Sequence, residues 1–256
     1  MDNLITQCHW PELPEKYDLA LRRAIEYILG RYRVSGIVAS GTILRGNPGP
    51  SSDLDIYVIH AEHFRQRVQK FFNNIPAEIF VNPPQAIEGY FREEQAERRP
   101  MTAHMLATGY VILDLDPVVD ALRAKAIELL SQPPGAPKEL VMPRYMAALL
   151  LEDAMDVAQT DPATAQMILS QAVSEMLKFP FIQSGQFIPR TKSLLAELEK
   201  FDAETARLAY RFFEAGEFKS RLEIAGKIAD RTIQARGFFE WEMNPEEILP
   251  LSTERP

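Results

Sequence analysis

The sequence predicts a mixed α/β domain followed by an all-α helical bundle. Short β-branched runs interleave with helical stripes in the first half of the chain. Three prolines and a glycine crowd into residues 131–137, a composition that breaks any continuous helix. Beyond that break, apolar residues recur at spacings of three and four through five successive segments, the pattern of helices that bury one face. The expected domains are 1–131 and 138–256.

The first element is a helix over 14–31, with Tyr17, Leu21, Ala24, Ile25 and Ile28 on one stripe and Gly30 near its end. A short β run follows over 34–40. Gly46, Pro48, Gly49 and Pro50 make a loop, and 54–59 then reads as a strong strand. Residues 61–74 are expected to be helical, and 77–81 to be a strand stopped by Pro83 and Pro84. Helices over 85–97 and 101–107, an extended segment over 109–113 and a helix from Pro117 to about residue 130 complete the domain. The bundle helices are expected at 140–159, 162–179, 190–201, 203–215 and 218–236. Phe238, Phe239 and Trp241 are expected to pack back onto the bundle, although they suit a homodimer contact equally, and the last few residues are expected to be mobile.

With 46% hydrophobic and 25% charged residues, the 256-residue chain has the balance of a globular protein rather than a disordered one. Its formal net charge of −8 argues against broad, sequence-blind binding to nucleic acid, which needs many phosphate-neutralising cations. A nucleotide is not excluded, because a few local groups and a metal ion can hold its phosphates. The longest clean apolar run, 145–151, is too short to cross a membrane. Residues 1–10 lack the basic start and apolar stretch of a secretory leader. Cys8 has no second cysteine to pair with, so a cytoplasmic setting is expected.

The chemistry concentrates between Ser40 and Val58. In a strand, Asp53 and Asp55 point to one face while Leu54, Ile56 and Val58 point to the other. Two carboxylates one strand repeat apart are about 6.5–7 Å apart at the backbone, and their oxygens can converge on a hard divalent cation. Without a cation, like charges on one rigid edge repel. Gly41-Thr42 closes the preceding strand; glycine allows close backbone approach to a phosphate, and a hydroxyl with successive amides can bind its oxygens. Asp53 stands eleven positions after Thr42.

Gly41, Thr42, Arg45, Gly46, Ser52, Asp53, Leu54, Asp55 and Ile56 resemble, in order, the motif of nucleotidyltransferases of the DNA polymerase beta superfamily. The likeness is strongest to its small-molecule branch, which includes aminoglycoside nucleotidyltransferases, and to minimal nucleotidyltransferases. Thr42 departs from the usual serine but keeps the hydroxyl. The resemblance implies a nucleotidyltransferase-type domain in which Asp53 and Asp55 bind Mg²⁺, one ion or two. It also implies that Gly41, Thr42, Arg45 and Ser52 hold the triphosphate of ATP or another nucleoside triphosphate. The family pattern calls for a third acidic residue on a later strand, and Glu78, in Ala77-Glu78-Ile79-Phe80-Val81, is placed for it after one intervening helix. By the same resemblance Glu78 serves as metal ligand or as the base for an incoming hydroxyl, and Glu152 is its rival as base. Lys192, near a helix start where acidic residues are normal, is the phosphate-contact candidate from the bundle, with a weaker case for Arg190.

The remaining residues have plainer explanations. In Asp114-Leu115-Asp116, Asp116 is expected to cap a helix that opens at Pro117. His60 and His63 are expected in a solvated entry to a helix, His104 to be partly buried, and Cys8 to be inert. The resulting expectation is transfer of a nucleoside monophosphate to a hydroxyl of a small molecule, such as an aminoglycoside. A protein acceptor, or a non-catalytic nucleotide-binding protein of the same shape, is the alternative.

Overall fold

The β-branched runs assemble into one five-stranded mixed sheet. The structure, a computed structural model, describes residues 2–242, and the chain divides into two compact units, Met1–Ala136 with Gly185–Ile188, and Pro137–Ser184 with the chain from Pro189 onward. In the first unit α1 (Asp2–Ile5) and α2 (Glu15–Leu29) precede β1 (Val34–Ser40) and β2 (Leu54–His60). Then follow β3 (Gln66–Phe72), β4 (Ile75–Asn82), α3 (Pro84–Ala96), α4 (Met101–Thr108), β5 (Tyr110–Asp114) and α5 (Val118–Ser131). The sheet order is β3-β4-β2-β1-β5. Neighbouring strands are antiparallel except β2 and β4, which run parallel with Asp55 opposite Glu78.

Alternation along the strands sends two cores to opposite faces of this sheet. Leu54, Ile56, Val58, Ile79 and Val81 pack with Leu21, Ile25 and Ile28 of α2. On the other face Val38, Tyr57 and Ile59 pack with Ile87, Phe91, Leu106 and Val119 from α3, α4 and α5. Those helices cover the sheet from Tyr57 onward along β2; Asp53 and Asp55, on the same face but nearer the strand's start, stay half-buried. Residues 185–188 rejoin this unit, where Gly135 N–H donates to Gly185 O at 3.1 Å and Ile188 N–H to Arg98 O at 2.8 Å.

Four expectations need correction. Residues 61–74 are not helical but form β3, and a strand rather than a helix therefore separates β2 from the Glu78 strand. The β3–β4 turn is Asn73-Asn74, with φ of 49° and 61°, the left-handed pair that a two-residue hairpin requires. His60 is not solvated: it ends β2 at 1% exposure, 4.4 Å from the Phe64 ring, and its Nε2 has no hydrogen-bond partner. His104 is exposed rather than partly buried. At α5, Pro117 is the cap residue and the carboxylate facing the amides of Asp116, Val119 and Asp120 belongs to Asp114, not Asp116. Cys8 is buried, and burial pushes its thiol up, as an inert cysteine requires.

The second unit contains α6 (Val141–Val157), α7 (Pro162–Gln183), a 3₁₀ turn at Thr191–Ser193, α8 (Leu194–Phe201), α9 (Ala203–Glu214) and α10 (Phe218–Arg231). Ala148, Leu151, Leu169, Met176, Phe212 and Ile228 lie in its buried core. Asp161 and Asp202 cap α7 and α9 by accepting from Thr164 and Thr205 N–H, each at 3.1 Å. Phe239 packs on this core under the Arg144 guanidinium, and Trp241 lies against Tyr145, whereas Phe238 is 87% exposed. The expected mobile end of the chain lies outside the described residues. Among the described residues, no helix is long and apolar enough to cross a membrane.

Candidate metal and nucleotide site

Three carboxylates meet on the open part of the sheet. Parallel pairing of β2 and β4 puts Asp55 beside Glu78, since paired strands lie about 4.8 Å apart, and Asp53 shares that face one repeat earlier. One oxygen from each of Asp53, Asp55 and Glu78 lies within 4.8 Å of the others. All three residues are half-buried. A donor set of three carboxylate oxygens fits a hard divalent cation, and convergence of three anions at this distance is unfavourable without positive charge among them.

Part of that charge comes from β3, the strand found where a helix is expected over 61–74. Glu78 Oε1 accepts from Arg67 Nε at 2.6 Å and from Gln69 Nε2 at 2.9 Å, with Arg67 Nη2 at 2.5 Å. Gln69 stands directly opposite Glu78 in the antiparallel ladder, and Arg67 is on the same face one repeat away, over the Phe80 ring. The missed signal is Asn73-Asn74 between two seven-to-eight-residue runs, a hairpin mark that shows Arg67 and Gln69 on one face of a strand. A hollow of about 220 Å³ opens beside Asp53 and Glu78, with Gln69 and Phe71 on its edge.

The turn after β1 closes the other side. Gly41 has φ +99°, and a Cβ there would lie 2.8 Å from Asp55 Oδ2, so both backbone conformation and space require glycine. Amides of Arg45, Gly46 and Asn47 donate to the carbonyls of Gly41, Ile43 and Thr42, which folds the turn tightly. The Thr42 and Ser52 hydroxyls hydrogen-bond at 2.6 Å, and Ser52 Oγ also accepts from Gly49 N–H at 2.8 Å. The two hydroxyl residues thus clasp the ends of the loop immediately before Asp53. Arg45 lies exposed on it.

The other candidates belong to the second unit. Lys192 is exposed and sits in the 3₁₀ turn before α8 rather than in the first turn of that helix; Arg190, also exposed, immediately precedes the turn. Glu152, half-buried on α6, has its carboxylate beside Gly237. The metal-competent cluster is contained wholly in the first unit.

No family model matches the chain, and no curated protein does. Among solved structures, the crystal structure of a nucleotidyltransferase-like protein from Exiguobacterium sibiricum 255-15 is similar, with a TM-score of 0.50 over 84% of this chain and 73% of that one. Sequence identity is 13%, and the likeness is one of fold: an α+β domain with a mixed sheet, followed by helices.

Proposed function

We propose that this protein is a metal-dependent nucleotidyltransferase that moves a nucleoside monophosphate from a nucleoside triphosphate, with ATP the first choice, to a hydroxyl of a small-molecule acceptor. The convergence of Asp53, Asp55 and Glu78 within 4.8 Å carries this reading, supported by the nucleotidyltransferase-like fold.

Asp53, Asp55 and Glu78 would hold one or two Mg²⁺ ions, which when bound neutralise charge on the triphosphate oxygens as pyrophosphate departs. The tight turn at Gly41 and the one hydroxyl hydrogen left free by the Thr42–Ser52 pair receive phosphate oxygens, with Arg45 as a further cation on the same loop. The acceptor oxygen forms a bond to the α-phosphorus while the bond from that phosphorus to the bridging oxygen breaks, and pyrophosphate leaves. The hydroxyl proton passes to a carboxylate oxygen of Glu78, preferred over Glu152 because Glu78 stands within the cluster. Arg67 and Gln69 hold the Glu78 side chain in place for that step.

Incubation with α-labelled nucleoside triphosphates, Mg²⁺ and a panel of hydroxyl acceptors tests the reading. Label is expected on at least one acceptor and none with Asp55→Asn, with cooperative melting of the variant showing that the fold is kept. Undiminished transfer by Asp55→Asn would refute it.

A further inference from the structure

A second cavity, of about 420 Å³, lies further along the same sheet face, within the volume range of small-molecule sites. Its lining includes Tyr57 and Phe80, each two residues beyond a cluster carboxylate, on β2 and β4 respectively. One strand repeat is about 6.5–7 Å, so the cavity begins one repeat from Asp55 and Glu78. Arg67 joins the two places: it binds the Glu78 carboxylate, lies 5.0 Å over the Phe80 ring and lines the cavity.

Order along the strands assigns the occupant. The Gly41–Ser52 loop precedes Asp53 at the start of β2, and the cavity follows Asp55 toward the strand's end. The carboxylates therefore stand between the phosphate loop on one side and the cavity on the other. In-line displacement needs the attacking oxygen opposite the departing pyrophosphate, which is the side the cavity occupies.

Its walls describe the chemistry. Tyr57 and Phe80 are stacked, 5.7 Å apart at 13°, and Tyr90 of α3 adds a third aromatic ring. Arg65 and Arg67 supply two guanidiniums from the start of the edge strand, and Arg65 Nη1 donates to Tyr90 Oη at 3.0 Å. The acidic member is Glu94, whose two oxygens accept from the Thr102 amide and hydroxyl, each at 2.7 Å. Burial pushes its carboxyl up, against the opposing effect of those bonds. Arg67 is already paired with Glu78 and Glu94 is committed to Thr102, so Arg65 is the charged lining group left to meet a ligand; an aromatic lining with an available guanidinium suits an anion and disfavours a polycation. We propose that this cavity holds the acceptor, and that the acceptor is a flat-ringed hydroxyl compound carrying a carboxylate or phosphate, not a cationic amino sugar. It rests on the nucleotidyl-transfer reading only for the ligand's role as acceptor.

Calorimetric titration with a matched pair tests this: 6-(hydroxymethyl)-2-naphthoate and the same alcohol bearing an aminomethyl group in place of the carboxylate. The naphthoate is expected to bind at least tenfold more tightly than the ammonium compound, and Arg65→Ala to weaken it about tenfold, the worth of a charge-assisted hydrogen bond. Tyr90→Ala should weaken both compounds. Equal or tighter binding of the ammonium compound, no effect of Arg65→Ala, or no binding of the naphthoate overturns the proposal. Melting of the same variants with Mg²⁺ and ATP separates the two readings. Loss of the nucleotide shift in Arg65→Ala or Tyr90→Ala would make the cavity a nucleotide site and overturn it. Naphthoate binding without any nucleotide shift in the parent protein would refute nucleotidyl transfer and leave the anion site standing.

Discussion

Replacing Gly41 by alanine perturbs the Asp53–Asp55–Glu78 carboxylate cluster through the backbone. The left-handed φ of +99° costs an L-residue about 1–2 kcal/mol. The new methyl would also lie 2.8 Å from Asp55 Oδ2, so Asp55 must leave its rotamer, at about 0.5–1.5 kcal/mol. Together these come to about 1.5–3.5 kcal/mol, or roughly 3–14 °C in the transition of the first unit. The displaced carboxylate should also lower Mn²⁺ affinity, by about tenfold for one lost charged ligand. Gly46→Ala is the control: its φ is +78°, but a Cβ there meets nothing within 4 Å. It should cost the backbone strain alone and leave Mn²⁺ binding unchanged. Scanning calorimetry gives the stabilities and paramagnetic resonance the bound Mn²⁺. A Gly41→Ala protein that melts with the parent and binds Mn²⁺ as tightly would refute the close approach of Gly41 to Asp55.

The hairpin and the bundle offer independent checks. Asn74→Ala places an alanine at φ 61° in the β3–β4 turn and should destabilise the first unit by about 1 kcal/mol, measured by urea unfolding; a helix at 61–74 would instead be strengthened. Asp202→Ala removes the cap of α9 and the 2.9 Å ion pair to Arg231, for about 1–2 kcal/mol at neutral pH. Burial pushes the Asp202 carboxyl up, but bonds from Thr205 and Arg231 outweigh it and hold the group below its usual range. Its contribution is therefore present above about pH 4, the unfolded carboxylate range, and is lost as pH falls through the lower folded value. Parent and Asp202→Ala stabilities should converge at acid pH; a constant gap between them would contradict the assignment.

What could be read in advance follows from how strongly each segment is constrained by burial. β2 and β4 are central strands whose Leu54, Ile56, Val58, Ile79 and Val81 must enter a core, so their alternation is plain and it fixes the direction of Asp53, Asp55 and Glu78. β3 is an edge strand with only Phe72 fully buried, and Lys70 with Phe71 blurs its period, so helix and strand look alike there. Arg67, Gln69 and the cavity beside Tyr57 and Phe80 are therefore not legible in the sequence. The burial of His60 is not legible because a polar residue at the end of a strand gives no sign that Phe64 will fold back over it. Capping by Asp114 rather than Asp116 depends on the local path of the chain, which residue type alone does not specify.

The central claim is that metal and nucleotide meet on Asp53, Asp55 and Glu78. Thermal melting of the parent protein and Asp53→Asn with Mg²⁺, ATP, or both tests it most directly. Stabilisation is expected in the parent only with both ligands present, about 2.7 kcal/mol at a hundredfold excess over Kd, and to vanish in Asp53→Asn. A full ATP shift without Mg²⁺, or one that survives in Asp53→Asn, would contradict the account.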